Sequence, residues 1–261
     1  MTDPPVLLHI DGPIAIITLN RPGRLNAIVP ELSEAYVRTL ERVRRDDTVR
    51  VAIVTGAGRA FCSGADLKAR VEKEEEQLAN FYTTPQTPTQ ALYTAPFEKP
   101  LIAAVHGYCL GGGMEIAMTC DLRIATNDSI WGLPDMKRGF FPGGGGPVRL
   151  PRLIPQALAM EMLMTGDLYE AERMREWGLV NRVVSPERLM AETMNLAARI
   201  AKAAPLAMSA MKELVYTSLD MPLPQAMRHA ASQRWIIGQT EDAKEGPRAF
   251  VAKREPEFRG S

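Results

Sequence analysis

The most informative segment of this 261-residue chain reads Leu101-Ile-Ala-Ala-Val-His-Gly-Tyr-Cys-Leu-Gly-Gly-Gly-Met-Glu115. Its first five residues form an apolar run typical of a buried strand, and glycines follow that run. The next residues, Glu115–Cys120, have the apolar composition of a buried helix. The pattern predicts a strand, a glycine turn and a helix that begins at the triple glycine.

A helix that begins at glycines is suited to bind a negatively charged oxygen. Its first N–H groups have no partner within the helix, and the helix dipole is positive at that end. Glycine also lets a ligand approach the backbone closely. Glu115 lies in the first turn, where a carboxylate either complements the dipole or acts as a general acid or base. The local sequence leaves both interpretations open.

A second strand-to-glycine turn lies earlier, where the run Val51–Thr55 leads into Gly56-Ala-Gly-Arg-Ala-Phe-Cys-Ser-Gly-Ala-Asp66. This turn fails the dinucleotide fingerprint at its sixth position, Phe61. The chain has no Gly-Lys pair, so it lacks a phosphate loop, and Ser63 does not fit a nucleophile elbow. NAD, ATP and serine-hydrolase functions therefore lose their sequence support.

Asp135 is a second candidate carboxylate, at the end of Trp131-Gly-Leu-Pro-Asp135. It is either a turn aspartate that follows proline or a partner of Glu115 in acid–base chemistry. A third glycine run follows at residues 143–146. Two carboxylates near glycine turns together suggest proton transfer beside a stabilised oxyanion.

The composition is that of an ordinary globular chain, with 46% hydrophobic residues and equal numbers (31 each) of basic and acidic residues. The zero net charge argues against broad electrostatic binding to nucleic acid or anionic lipid. No apolar run is long enough to span a membrane and no signal peptide is evident, so we expect a cytoplasmic protein. Three cysteines and three scattered histidines predict reduced thiols and no metal site.

The remaining pattern predicts an α/β protein with a helical C-terminal part. A hairpin is expected at residues 6–19 and a helix from Pro30. We predict a core over residues 1–195 and a helical region over residues 196–261. Residues 71–95 indicate either a solvated helix followed by a mobile loop or a loop that shapes the mouth of a pocket.

The order of these motifs resembles the crotonase superfamily, whose best-known members are enoyl-CoA hydratases. Besides the segments quoted above, the similarity rests on motifs in the same order along nearly the whole chain. These are Leu19-Asn-Arg-Pro, Leu25-Asn-Ala27, Cys120-Asp-Leu-Arg-Ile-Ala, Phe141-Pro-Gly-Gly-Gly-Gly146, Arg149-Leu-Pro-Arg, Trp177-Gly-Leu-Val-Asn-Arg-Val and Glu241-Asp-Ala-Lys-Glu-Gly. The part from Leu150 to Val183 particularly resembles carnitinyl-CoA dehydratase-like members.

The resemblance implies a ClpP/crotonase-like spiral of ββα units with C-terminal helices that drive trimerisation, usually into a hexamer of two trimers. It implies a coenzyme A thioester as substrate, and neither a metal nor a separate cofactor. The backbone amides of Ala65 and Gly112 would form the oxyanion hole, with Glu115 and Asp135 as catalytic residues. The positions that would contact the substrate or its CoA are Arg24, Ala65, Asp66, Leu67, Lys68, Gly112, Gly143, Phe250 and Lys253. For the last two, packing and surface charge remain an equal alternative.

The sequence departs from the hydratase pattern at Asp135, where hydratases carry a second glutamate. Aspartate is one methylene shorter, which withdraws the carboxylate by about 1.5 Å. We expect an enoyl-CoA hydratase, with a polar or branched acyl chain plausible. The alternatives are an isomerase, another crotonase reaction such as thioester hydrolysis or carnitinyl-CoA dehydration, and a CoA-thioester-binding scaffold without turnover.

Overall fold

The computed structural model describes residues 3–67, 91–93, 95 and 97–261. Within these ranges the chain forms ten strands, and most of them are short. They are β1 (Val6–Asp11), β2 (Ile14–Leu19), β3 (Val51–Gly56), β4 (Ala60–Cys62), β5 (Leu101–Val105), β6 (Tyr108–Leu110), β7 (Leu122–Thr126), β8 (Ile130–Gly132), β9 (Leu168–Glu170) and β10 (Arg182–Val184).

The strands form two sheets, which are built up together along the chain. The larger sheet has the order β1-β2-β3-β5-β7-β10, and the smaller sheet has the order β4-β6-β8-β9. Successive strand pairs, β3 with β4, β5 with β6 and β7 with β8, each give one strand to each sheet. The predicted spiral of ββα units is therefore confirmed, and β1 and β2 form the predicted antiparallel hairpin.

Nine α-helices are described. They are α1 (Pro30–Arg45), α2 (Gly112–Thr119), α3 (Gly146–Leu153), α4 (Gln156–Thr165), α5 (Ala171–Glu176), α6 (Leu189–Ala201), α7 (Pro205–Ser218), α8 (Leu223–Ile237) and α9 (Glu241–Val251). Short 3-10 helices lie at Pro22–Arg24, Pro134–Arg138 and Pro186–Arg188. Proline begins several of these elements because its fixed φ suits the first helical turn and the N–H that it lacks has no partner there.

Strand β3 lies inside the larger sheet and is packed against apolar clusters on both of its faces. All six of its residues are buried, as expected for a parallel strand covered on both faces. Ala52 and Val54 belong to the larger apolar cluster, to which α1 also contributes. Val51 and Ile53 belong to a second cluster, which α6 covers. The two clusters hold the strand ends, and therefore the glycine turns that follow them, in fixed positions.

The C-terminal part is helical, as predicted, but the division at residues 195 and 196 falls inside α6. That helix packs on the larger sheet, so the two-part division stays a prediction. Helix α7 has no buried residue, and α7 and α8 expose large apolar side chains. Within the described ranges, none of the helices combines the length and apolar character needed to cross a bilayer.

Gly113 allows helix α2 to lie directly against strand β4, and this contact can be tested. A Cβ at Gly113 would lie 2.2 Å from the backbone oxygen of Cys62, so Gly113→Ala forces the helix away. We predict a loss of about 1–3 kcal/mol in the free energy of unfolding, measured by denaturant titration. Gly23→Ala is the control, because a Cβ there meets nothing within 4 Å. Equal effects of the two substitutions would contradict this explanation.

Candidate active site

The first glycine turn is held in place by the buried side chain of Asn26. Its amide nitrogen donates hydrogen bonds to the backbone oxygens of Ala57 (2.9 Å) and Ala60 (2.7 Å). Its side-chain oxygen accepts from the backbone N–H of Arg21 at 2.8 Å. The segment of Asn26 is thereby fixed to the turn that follows β3, and this explains why the sequence carries a buried asparagine here.

The end of this turn forms a backbone bridge with Ile28. The N–H of Ile28 donates to the oxygen of Gly64 at 2.8 Å, and the N–H of Asp66 donates to the oxygen of Ile28 at 3.0 Å. Ala65 lies between these two bonds in a parallel bridge, so its own N–H is directed away from Ile28. Ala65 is exposed, and its amide is available to a ligand.

The second glycine turn meets the first at the N-terminus of α2. Gly111 precedes the helix with a φ of 50°, a conformation that favours glycine. Gly112 is the first helical residue, so its N–H has no partner within the helix. A Cβ at Gly64 would lie 3.3 Å from the nitrogen of Gly112, which shows how closely the turns approach. The structure thus brings together the two segments whose amides the sequence predicts as oxyanion donors.

Glu115 is the buried carboxylate of the site, with 3% of its surface exposed. Its Oε1 accepts a hydrogen bond of 2.8 Å from the N–H of Gly146. Burial is the main cause that raises the pKa of Glu115 to about 7; the Gly146 hydrogen bond opposes that shift and the charge of Asp135 adds to it. A carboxylate with such a pKa exchanges protons near neutral pH, as a general acid or base requires.

Asp135 lies on the short 3-10 helix Pro134–Arg138 and faces the second glycine turn. A Cβ at Gly111 would lie 3.6 Å from its Oδ2. This oxygen is buried and has no hydrogen-bond partner in the described part of the chain. Burial raises the pKa of Asp135 above its ordinary value, against the lowering effects of its own backbone N–H and of Arg138. Glu115 and Asp135 therefore lie close together beside the N-terminus of α2.

Several residues of the site are not identified by the sequence patterns. The amide that holds Glu115 belongs to Gly146, although the glycine run at residues 143–146 already indicated a supporting role. Tyr93 packs against Gly112 and Gly144. Arg149 donates to the backbone oxygens of Tyr93 (2.7 Å) and Gly144 (3.1 Å). Nothing in the local pattern around Tyr93 separates it from the polar segment in which it lies.

The predicted CoA contacts have different surroundings. Asp66 forms an ion pair with Arg21 at 3.3 Å, and Arg24 lines an open surface pocket with Arg21. Their neighbour Leu67 is partly exposed, and Lys68 lies outside the described residues. The other predicted contacts are exposed, and their roles stay predictions: Gly143, Phe250 and Lys253. Most of the segment at residues 71–95 also lies outside the described residues.

Among the residues that the structure describes, the cysteine and acidic side chains do not form a metal site. Cys62, Cys109 and Cys120 are buried free thiols, which agrees with the prediction of reduced cysteines. Among the described side chains, no three of the types His, Cys, Asp and Glu are grouped so that they could hold a metal ion. The carboxyl groups that converge at the glycine turns are those of Glu115 and Asp135.

A spiral of ββα units is the architecture of the crotonase class of enzymes. In this chain two carboxylates lie beside a helix that is preceded by glycine, as that class would require. A family model described as enoyl-CoA hydratase/isomerase matches residues 9–261 of this chain. The chain belongs to this family, and the resemblance noted from its motifs is confirmed.

Individual relatives agree with this assignment over nearly the whole length. The chain is 40% identical over 260 residues to the (E)-benzylidenesuccinyl-CoA hydratase of Thauera aromatica, covering 98% of this chain and 100% of that one. It is 41% identical over 255 residues to a carnitinyl-CoA dehydratase of Salmonella arizonae, covering 96% of each. The crystal structure of an enoyl-CoA hydratase from Mycobacterium marinum matches with a TM-score of 0.91 and 38% identity, covering 99% of this chain and 100% of that one.

The raised pKa of Glu115 predicts a dependence of stability on pH. Ionisation of Glu115 is less favourable in the folded chain than in the unfolded chain, so this residue lowers stability as pH rises from about 4.5 to about 7. Glu115→Gln should therefore raise the free energy of unfolding by about 2–3 kcal/mol at alkaline pH, and by much less under acidic conditions. Denaturant titrations across this range measure the difference.

The matched control is Glu170→Gln, at an exposed carboxylate. It should give a difference from the wild type that stays constant over the same pH range. A constant difference for Glu115→Gln as well would mean that burial does not perturb this carboxylate.

Proposed function

We propose that this protein is an enoyl-CoA hydratase, which adds water across the double bond of a 2-enoyl-CoA thioester or removes it in reverse. The observation that carries the proposal is the buried Glu115 carboxyl, whose pKa is raised to about 7, one helical turn from the free N–H of Gly112. A base and an anion site at this spacing suit a reaction that moves a proton while charge develops on a carbonyl oxygen.

In the proposed reaction the thioester oxygen accepts hydrogen bonds from the amides of Ala65 and Gly112. Glu115 removes a proton from water, whose oxygen bonds to the β-carbon, and the electron pair of the double bond moves toward the thioester oxygen. The two amides stabilise that developing charge, and the loss of one such donor typically costs about 3–4 kcal/mol. Asp135 delivers a proton to the α-carbon, so the elements of one water molecule are added.

Asp135 suits this acidic role because its pKa is raised by burial. Its buried Oδ2 lacks a described partner, and a proton on the carboxyl group lowers the cost of keeping that oxygen away from water. Glu115 then releases its proton to solvent and Asp135 takes one up, which restores both groups. We propose no metal or separate cofactor, because coenzyme A is part of the substrate.

The acyl group is proposed to be polar, branched or aromatic. The shorter Asp135 side chain is the reason, because it leaves more room beside Gly111 than the family's usual glutamate. The two named relatives support this choice, since the name of one refers to a benzylidenesuccinyl group and that of the other to a carnitinyl group. Arg24 and Lys253 are proposed to bind the anionic part of CoA, the latter from a neighbouring subunit.

Assembly into a trimer, or a hexamer of two trimers, is part of the proposal. Helices α7 and α8 support it, because their exposed apolar side chains would be buried by another copy of the chain. These side chains are Leu206, Met211, Val215, Leu223, Met227, Trp235 and Ile236. We predict a molar mass three or six times that of one chain by light scattering. Trp235→Glu, at a side chain that is 73% exposed, should reduce that mass, and a monomeric wild type would contradict the assembly.

The central experiment compares the wild type with Glu115→Gln on a panel of short, branched, carboxylated and aromatic 2-enoyl-CoA thioesters. We predict that the wild type removes the ultraviolet absorbance of the enoyl thioester and forms a product heavier by one water. Glu115→Gln should lose roughly 100-fold or more in kcat, since glutamine cannot accept the proton.

Each alternative has its own result in this assay. A product of unchanged mass indicates an isomerase, and release of free CoA indicates thioester hydrolysis. A wild type that binds the thioesters and turns none of them over is a binding scaffold. Full activity of Glu115→Gln would show that another group is the base. Glu170→Gln serves as the control and should retain the activity of the wild type, because its carboxylate is exposed.

A further inference from the structure

Tyr93 lies between the oxyanion segment at Gly112 and the glycine loop that includes Gly144. A Cβ at Gly112 would lie 2.5 Å from the Tyr93 hydroxyl oxygen, and a Cβ at Gly144 would lie 2.5–2.6 Å from its ring carbons. Only 7% of Tyr93 is exposed. Its side chain therefore occupies the space that two glycines leave open, one on the oxyanion side and one on the loop that holds Glu115.

The position of Tyr93 is fixed by its backbone. Arg149 donates to the carbonyl oxygens of both Tyr93 and Gly144, at 2.7 and 3.1 Å, and so ties the tyrosine segment to the glycine loop. The N–H of Ala95 donates to the oxygen of Ala91 at 2.9 Å, which closes a helical turn around Tyr93. A side chain held in this way is already in position when a substrate binds, so little conformational entropy is lost on binding.

Helix geometry places the Tyr93 hydroxyl on the face of α2 that carries Glu115. Gly112 and Glu115 are three residues apart on α2, so their Cβ positions lie on one face, about 5–6 Å from each other. The hydroxyl fills the Gly112 position on this face. One water molecule is large enough to bridge groups separated by such a distance. Burial, and then the negative charge of Glu115, raise the pKa of Tyr93 well above its ordinary value, so the phenol stays protonated and can donate.

We propose that Tyr93 is a further catalytic residue, whose hydroxyl donates a hydrogen bond to the oxygen that water brings to the β-carbon. The inference rests on the proposed hydration reaction. Glu115 receives the proton of that water, and Tyr93 holds its oxygen from a second direction. In the reverse reaction the same hydrogen bond stabilises the hydroxyl as it leaves. Tyr93 keeps its own proton throughout, so the proton balance between Glu115 and Asp135 is unchanged.

This role explains how the site works with the shorter Asp135. A longer carboxylate at this position would extend about 1.5 Å further and could hold the water together with Glu115. Asp135 instead faces Gly111, so the water needs a second polar contact. The Tyr93 hydroxyl is a protonated donor beside Gly112 and within reach of a water bound to Glu115. A role in packing alone would require the ring of Tyr93 and not its hydroxyl.

The test removes the hydroxyl and keeps the ring. Tyr93→Phe should lower kcat for the best 2-enoyl-CoA substrate roughly 10- to 100-fold and change KM by less than about threefold. The matched control is Tyr36→Phe, at a fully buried tyrosine of the core whose hydroxyl has no described partner. It should leave both constants within about twofold of the wild type, since it alters no group of the site. An unchanged kcat for Tyr93→Phe would overturn the proposal.

A binding measurement tests the same contact without turnover. Calorimetry with 3-hydroxy-2,2-dimethylbutanoyl-CoA and 2,2-dimethylbutanoyl-CoA compares ligands that differ only in the hydroxyl on the β-carbon, and neither can be dehydrated because the α-carbon carries no hydrogen. The wild type and Tyr36→Phe should bind the hydroxyacyl thioester more tightly, and Tyr93→Phe should lose at least about fivefold of that preference. A preference that survives in Tyr93→Phe, or that is absent from the wild type, refutes the contact.

The two proposals can fail separately. If the wild type turns over no enoyl thioester but its preference for the hydroxyl depends on Tyr93, the hydratase function fails and the contact remains. If the wild type hydrates its substrate and Tyr93→Phe does so equally well, the hydratase function remains and the role of Tyr93 fails.

Discussion

The carboxylate of Glu115 is buried in the first turn of α2, where it accepts one hydrogen bond from Gly146 and lies near the charge of Asp135. Removing a charged group from water is costly, so the fold must offset this cost or the carboxyl must take up a proton. Here backbone hydrogen bonds from Gly146 and Gly144 offset part of this cost, and the pKa still rises to about 7. The instability of this charge is what makes the group useful as a base near neutral pH.

The other features of the site follow from the need to keep the buried Glu115 close to an anion site. A Cβ at Gly64 would lie 2.8 Å from the backbone oxygen of Leu110, and a Cβ at Gly113 would lie 2.2 Å from that of Cys62, so the turns can be this close only with glycine. Clusters on both faces of the larger sheet fix the strand ends from which the turns begin. The glycine-rich segments are therefore rigid, although glycine runs elsewhere often form flexible linkers.

The elements that depend on local sequence were predictable. The N-terminal hairpin, the helix from Pro30, the strands Val51–Gly56 and Leu101–Val105 and the start of α2 all follow from short apolar runs and the glycines or prolines beside them. The contacts of Gly146 and Tyr93 were not predictable in this way. They arise where segments far apart in sequence pack together, as when Arg149 binds the backbone of Tyr93, 56 residues away. No periodic pattern marks such a contact.

The pH dependence of kcat/KM for hydration tests most directly whether burial makes Glu115 the base. The measurement uses the wild type and the 2-enoyl-CoA thioester that it hydrates fastest. Since Glu115 accepts a proton only when it is ionised and Asp135 donates one only while it is protonated, kcat/KM should rise with pH through an apparent pKa of about 7 and fall again where Asp135 loses its proton. A rise centred near 4.5, the ordinary value for glutamate, or a rate that does not change with pH would contradict the account.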